Sequence, residues 1–262
     1  MPAAGDALAA AKVRFLHAVP GVGPAALDVS VAGREGASAA VGFAKASGYV
    51  TVGEGAAQLA LAVRGESDPA ATERATLKDR QRYTVVALRR DGEVELRLYR
   101  DDGAAGGAAR LRAIHAAPEL DGVDVRLGEQ VIADGLAPAG ASPYDRIEPG
   151  SYRLSITRPG GKGGALASQS GVQLVSGTSS TAVIVGSGGE RIRFVVVADA
   201  AVTPAEPPAT GLGGLSDGGV PWLLVLAAAL LAGALGGAAY AVASGAAPAG
   251  LPLVRGRRRR GR

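Results

Sequence analysis

The sequence predicts an all-β protein: two tandem antiparallel β-sandwich (Ig-like) domains followed by one C-terminal transmembrane helix. Three observations lead there. Apolar and polar residues alternate in short runs bounded by Gly, Pro or Asp. The same series of runs occurs twice, 95 to 98 residues apart. After the second series comes an uncharged stretch, and then a cluster of arginines.

Taken in order, a tail (residues 1–10) precedes the first repeat (11–102). Strands are expected there at Val13–His17, Leu27–Val31, Leu59–Val63, Tyr83–Leu88 and Val94–Tyr99. Asp91-Gly92 joins the last two, and this dipeptide suits a type I′ turn, whose two central positions take positive φ. In the second repeat (109–200) the runs are Arg110–His115, Val123–Leu127, Tyr152–Thr157, Gly171–Val175, Thr181–Val185 and Ile192–Val197, with Arg158–Gly164 as an exposed hairpin loop. Roughly seven short strands in a repeat favour a sandwich over a fold containing helices. Aromatic residues are only 4% of the chain, so the cores must be built from Val, Leu, Ile and Ala. Such side chains bury less area each, and stabilisation per residue is modest.

The duplication rests on matched residues. Val13-Arg14-Phe15-Leu16-His17-Ala18-Val19-Pro20 aligns with Leu111-Arg112-Ala113-Ile114-His115-Ala116-Ala117-Pro118. Leu27-Asp28-Val29 follows against Val123-Asp124-Val125, Ser47-Gly48-Tyr49 against Ser142-Pro143-Tyr144, and Tyr83-Thr84-Val85-Val86 against Ser180-Thr181-Ala182-Val183. The small drift in offset is what loop insertions and deletions produce.

The C-terminal part sets an expected address. A Pro- and Gly-rich stalk (201–219) leads to a transmembrane helix (220–246) and an Arg-rich tail (247–262). Trp222–Ala243 carries no charge over 22 residues, a helix of roughly 33 Å, enough to cross a bilayer's hydrocarbon core. Arginines 255, 257, 258, 259, 260 and 262 are expected to stay on the cytoplasmic side, leaving both repeats outside the cell. They also account for the basic balance. Without them 22 Lys and Arg stand against 24 Asp and Glu, so nucleic acid is not expected as a partner. The bilayer is the expected partner, with another surface protein or a cell-wall component beside it. Gly233 and Gly237 have the spacing of a helix-dimer face. Export of the repeats calls for a signal that Met1–Lys12 does not display, and the expectation is that it is encoded upstream or has been removed.

Candidate chemistry is sparse. There is no Cys, which excludes disulfides, thiolate metal sites and a Cys nucleophile, and no Asn, which excludes N-glycosylation. His17 and His115 are the chain's two histidines, each before Pro20 or Pro118 and each followed by Asp28 or Asp124. A His–carboxylate pair could serve acid–base work, but one imidazole per repeat is too few for zinc. The favoured role is structural, the ring capping a strand end and bonded to backbone. No Gly-x-Ser-x-Gly elbow exists, and Gly160–Gly164 lacks the phosphate-loop spacing and the helix that should follow it. No cofactor, metal site or enzymatic activity is therefore expected. Pro208, Ala209, Thr210 and Gly211 match four positions of the Leu-Pro-x-Thr-Gly cell-wall sorting signal, with Pro207 in place of Leu. Retention as a membrane anchor is expected over transfer to the wall.

An apolar strand ending in His-Ala-x-Pro, then [Leu/Val]-Asp-Val, then a Ser-x-Tyr turn, all in duplicate, resembles the bacterial domain of unknown function 4397 over about residues 11–200. The resemblance implies a secreted or surface protein and adds no activity. Three functions compete on the sequence. An adhesive or ligand-binding module should expose an aromatic or apolar patch near Tyr49 or Tyr144. A structural spacer of the envelope should show rigidly packed repeats and no pocket. An envelope hydrolase, the least favoured, needs a Ser or carboxylate within hydrogen-bond reach of His17 or His115.

Overall fold

The computed structural model describes residues 10–103, 106–161, 164–187 and 190–201, all of which fall in one compact unit. The stalk, the expected transmembrane helix, the Arg tail and the sorting residues Pro208–Gly211 lie outside the described residues. No helix among the described residues is long and apolar enough to cross a membrane.

The fold is all-β. The first repeat forms β1 (Ala10–His17), β2 (Ala25–Val31), β3 (Arg34–Ala37), β4 (Lys45–Ala46), β5 (Val50–Gly53), β6 (Gly55–Val63), β7 (Ala71–Leu77), β8 (Arg82–Arg90) and β9 (Glu93–Asp101). The second forms β10 (Ala109–His115), β11 (Val123–Leu127), β12 (Gln130–Leu136), β13 (Asp145–Ile147), β14 (Gly150–Thr157), β15 (Ala165–Leu174), β16 (Thr178–Ser187) and β17 (Glu190–Ala201), with one 3₁₀ turn at Pro159–Gly161.

Each repeat is two sheets. In the first, β3-β2-β6-β7 faces β4-β1-β8-β9, with β5 also paired to β1. In the second, β12-β11-β14-β15 faces β13-β10-β16-β17. Val13, Phe15, Leu27, Val29, Leu59, Leu61 and Val85 fill the first core, and Leu111, Val123, Val125, Leu154, Ile156 and Ile184 fill the second. Each large aliphatic or Phe side chain buried this way is worth about 1.5–3 kcal/mol.

The sheets are not wholly antiparallel, as the sequence reading expected. β1 runs parallel to β8 from Lys12↔Arg82 to His17↔Ala87, and β10 parallel to β16 from Arg110↔Ser179 to His115↔Ile184. Alternation reports which face a residue occupies and says nothing of the direction of the neighbouring strand. Several strands also go unread in the sequence. β3, β4, β5, β12 and β13 are short or bulged, and β7 is an edge strand with most of its residues exposed. β15 begins at Ala165, ahead of its apolar residues, because the polar Ser168 and Gln169 pair with β14 as Val172 and Leu174 do. The Asp91-Gly92 hairpin forms, with φ of 51° and 88°.

Candidate functional site at the repeat junction

The inner sheets of the two repeats pack on each other, because their strands are apolar on both faces. Along β1, Val13 and Phe15 point into the first core, while Arg14 and Leu16 point the other way. β8 does the same with Val85 and Ala87 against Val86 and Leu88. Leu16, Val86 and Leu88 meet Ile114, Val183 and Val185 from β10 and β16 in a third apolar cluster shared by both repeats. Strands buried on both faces read as near-continuous apolar runs. Tyr83–Leu88 of β8 is such a run, buried throughout.

Beside that layer lies a buried polar network whose main contacts occur twice, once from each repeat. Arg14 bonds Asp199 of the second repeat, and Arg112 bonds Asp101 of the first. Arg14 Nε donates to Thr84 Oγ1 at 2.9 Å and Nη1 donates to the Ala198 carbonyl at 2.7 Å. Arg112 Nε donates to Thr181 Oγ1 at 2.9 Å and Nη1 to the Arg100 carbonyl at 2.7 Å. Thr84 and Thr181 pass their own protons to Asp101 and Asp199. Tyr49 and Tyr144 each donate to the same carboxylates at 2.7 Å. Each guanidinium also lies over a ring, Arg14 at 4.9 Å from Tyr49 and Arg112 at 4.7 Å from Tyr144. Ser47 and Ser142, each two residues before its tyrosine, accept the backbone N–H of Phe15 and Ala113 and so tie these turns to β1 and β10.

The network is electrostatically closed. Two guanidinium groups and two carboxylates are nearly or fully buried, and the donors on each carboxylate offset the loss of water. Burial lifts Asp199 above the ordinary carboxylate range, against the pull of Arg14. Burial likewise raises Tyr49 and Tyr144 far above an ordinary phenol, and it pushes Tyr99 up to about 12. The phenols therefore remain protonated and donate.

The histidines lie elsewhere in their repeats, both fully buried. His17 Nδ1 accepts the Val19 N–H at 3.2 Å while Nε2 bonds the Gly23 carbonyl at 3.0 Å. His115 repeats this with the Ala117 N–H at 3.3 Å and the Leu120 carbonyl at 3.0 Å. An acceptor role at Nδ1 fixes the proton on Nε2, so neither ring nitrogen is left to act on a substrate. Burial also lowers the His115 pKa. The ring partners of His17 are Phe15 at 6.2 Å and Phe43 at 6.4 Å. Pro20 and Pro118 are half-buried in the turns that follow β1 and β10.

The structure does not bring Asp28 or Asp124 to an imidazole. Asp124 is buried and accepts the backbone N–H groups of Gly135 and Gly160, each at 2.8 Å, which holds its carboxyl below the usual range. Asp28 is exposed and lines a shallow trough of about 500 Å3 with Ser30, Glu35 and Gln58 on the solvent face of its sheet. Tyr49 and Tyr144, the expected markers of a binding patch, are instead members of the junction network. Sequence reading passes over Arg14, Arg112, Asp101 and Asp199. A signal was present: an arginine at the same place inside two apolar strands of matching repeats.

These features define a class of protein, a tandem β-sandwich whose repeats share a closed junction. The family model described as "Domain of unknown function (DUF4397)" matches residues 11–126 and again 109–210, and the chain belongs to that family. No curated protein matches the chain. Among solved structures it is similar to the Bacillus anthracis TIE protein (11% identity, 68% of this chain and 34% of that one, TM-score 0.24). It is also similar to a family 26 carbohydrate-binding module of Eubacterium rectale Amy13K, solved with maltoheptaose (12% identity, 72% and 96% covered, TM-score 0.25). A third is a putative cell adhesion protein of Bacteroides fragilis (8% identity, 76% and 86% covered, TM-score 0.17). At such TM-scores none of the three bears on function.

Proposed function

We propose that this protein is a non-enzymatic module of the bacterial cell envelope, in which two fused sandwiches act as one stiff body held off the membrane by the C-terminal segment. The observation that supports the single-body part of this reading is the reciprocal exchange of Arg14–Asp199 and Arg112–Asp101 across a shared apolar layer. Free hinge motion would require breaking both buried pairs at once, each costly to open. The adhesive reading has less support. Tyr49 and Tyr144 are committed to the network, and the exposed large hydrophobic residues among those described are Val131 in β12 and Val175 just after β15, at opposite edges of one sheet. The hydrolase reading needs a Ser or carboxylate within hydrogen-bond reach of His17 or His115, and the hydrogen-bond partners of both imidazoles are backbone groups.

Location is tested by adding protease to intact cells. The repeats should be trimmed while the Arg tail is spared, and protection of the repeats would sink the surface assignment. Stiffness is tested by NMR relaxation, where both repeats should share one rotational correlation time. Two distinct times would overturn the single-body reading.

A further inference from the structure

At one flank of the junction the pseudo-two-fold relation between the repeats fails. Tyr99 pairs with Thr84 in β8–β9, and Val197 pairs with Thr181 in β16–β17, so Tyr99 and Val197 are equivalent. Tyr99 crosses the junction, packs on the shared apolar layer and donates its hydroxyl to the Ala139 carbonyl at 2.8 Å. The equivalent carbonyl belongs to Ala44, since the Ala44 N–H bonds the His17 carbonyl as the Ala139 N–H bonds that of His115. Val197 cannot make the crossing, having neither ring nor hydroxyl. On its side a cleft of about 440 Å3 remains, walled by Ala44, Lys45 and Ala46 from one repeat and Arg193, Val195 and Val197 from the other. The cleft is open to solvent and has room for a single six-membered ring.

Charge changes together with the missing ring. Lys45 stands where the filled side has Gly140, and Arg193, opposite Val185, stands where the filled side has Glu95, opposite Leu88. Among the described residues neither Lys45 nor Arg193 has a carboxylate within ion-pair distance, and Arg193 rests 5.2 Å over the Phe43 ring. The side that lost a phenol has thus gained two unneutralised cations at the rim.

We propose that this cleft binds a small aromatic anion. The ring takes the place that Tyr99 fills on the other side, a ring hydroxyl reaches the Ala44 carbonyl, and the acid group meets Lys45 and Arg193. Ring burial supplies affinity, and the cations select an acid over a neutral phenol. The protein's own Tyr99 shows the chemistry that fits.

The test is calorimetric titration of the full chain with 4-hydroxybenzoate, with 4-hydroxybenzyl alcohol as the uncharged control. Saturable millimolar or tighter binding is expected for the acid, with the alcohol weaker by about tenfold. Val197→Tyr should fill the cleft and weaken binding by at least about tenfold. Lys45→Ala with Arg193→Ala, both exposed positions, should do the same without loss of fold and guards against misfolding of the tyrosine variant. No saturation up to about 10 mM, or wild-type affinity in the well-folded alanine variant, overturns the proposal. Either failure leaves the stiff-module reading standing, because that reading does not use the cleft.

Discussion

Arg14 shows how much of this molecule is decided at single residues. It is buried, and its guanidinium satisfies Thr84, Asp199 and the Ala198 carbonyl at once. Replacing it by Met strands Asp199 without its counter-charge, and a loss of about 3–5 kcal/mol is expected in urea denaturation. Replacing Asp199 by Leu as well should recover part of that loss, because the orphaned charge is gone although Tyr144 and Thr181 lose their acceptor. A double mutant no more stable than Arg14→Met would show that the pair is not the source of the effect. His115 makes a second prediction at this scale. Its folded pKa is lowered, so its contribution to stability is fully present above the ordinary histidine value of 6.5 and is lost as pH falls through the folded value. Melting temperature should decline over that window in the wild type. The decline should be smaller in His115→Gln, which titrates nothing at that position.

At the scale of elements, the repeated strands were legible wherever apolar residues alternated, as at Leu27–Val31 and Leu59–Val63. The Asp91-Gly92 turn was legible because few residues tolerate positive φ in succession. Ala32-Gly33 makes the same kind of turn, with φ of 48° and 74°, and went unread because Ala carries no such signal. The parallel β1–β8 pair was hidden for a deeper reason. Pairing partners distant in sequence leave no trace in the local pattern. Asp124 ties β11 to the β12 bulge at Gly135 and to the turn at Gly160. Asp124→Ala leaves two N–H groups without their acceptor and should cost about 1–3 kcal/mol. The Asp124 carboxyl is held below its ordinary value of 3.8, so its contribution is present above that value and lost as pH falls through the folded one. Amide exchange at Gly135 and Gly160 should therefore accelerate in acid, beyond the intrinsic pH dependence of exchange. Unchanged protection there would contradict the tie.

For the whole molecule, the duplication could be read directly from residues such as His17 and His115, yet nothing in the sequence showed that Tyr49 and Tyr144 bond Asp101 and Asp199. A Tyr after a turn looks identical in sequence whether it meets solvent or a buried carboxylate of its own repeat. Only the folded junction tells them apart. Two cores joined by a third should unfold together, and a single denaturation transition is expected for the described unit. Introducing Arg14→Met and Arg112→Met together should split that transition in two or make it broader, read by calorimetry. A sharp single transition at lower temperature would mean that the apolar layer alone couples the repeats.

The duplicated contacts have one more consequence. Where two identical chains meet about a two-fold axis, any substitution appears on both sides, so a change that opens one flank must open the other. Joining both halves in one chain removes that constraint. Position 99 keeps a tyrosine while position 197 carries a valine, and position 95 is acidic while 193 is basic. One flank can stay sealed and serve only cohesion, while the other is free to specialise.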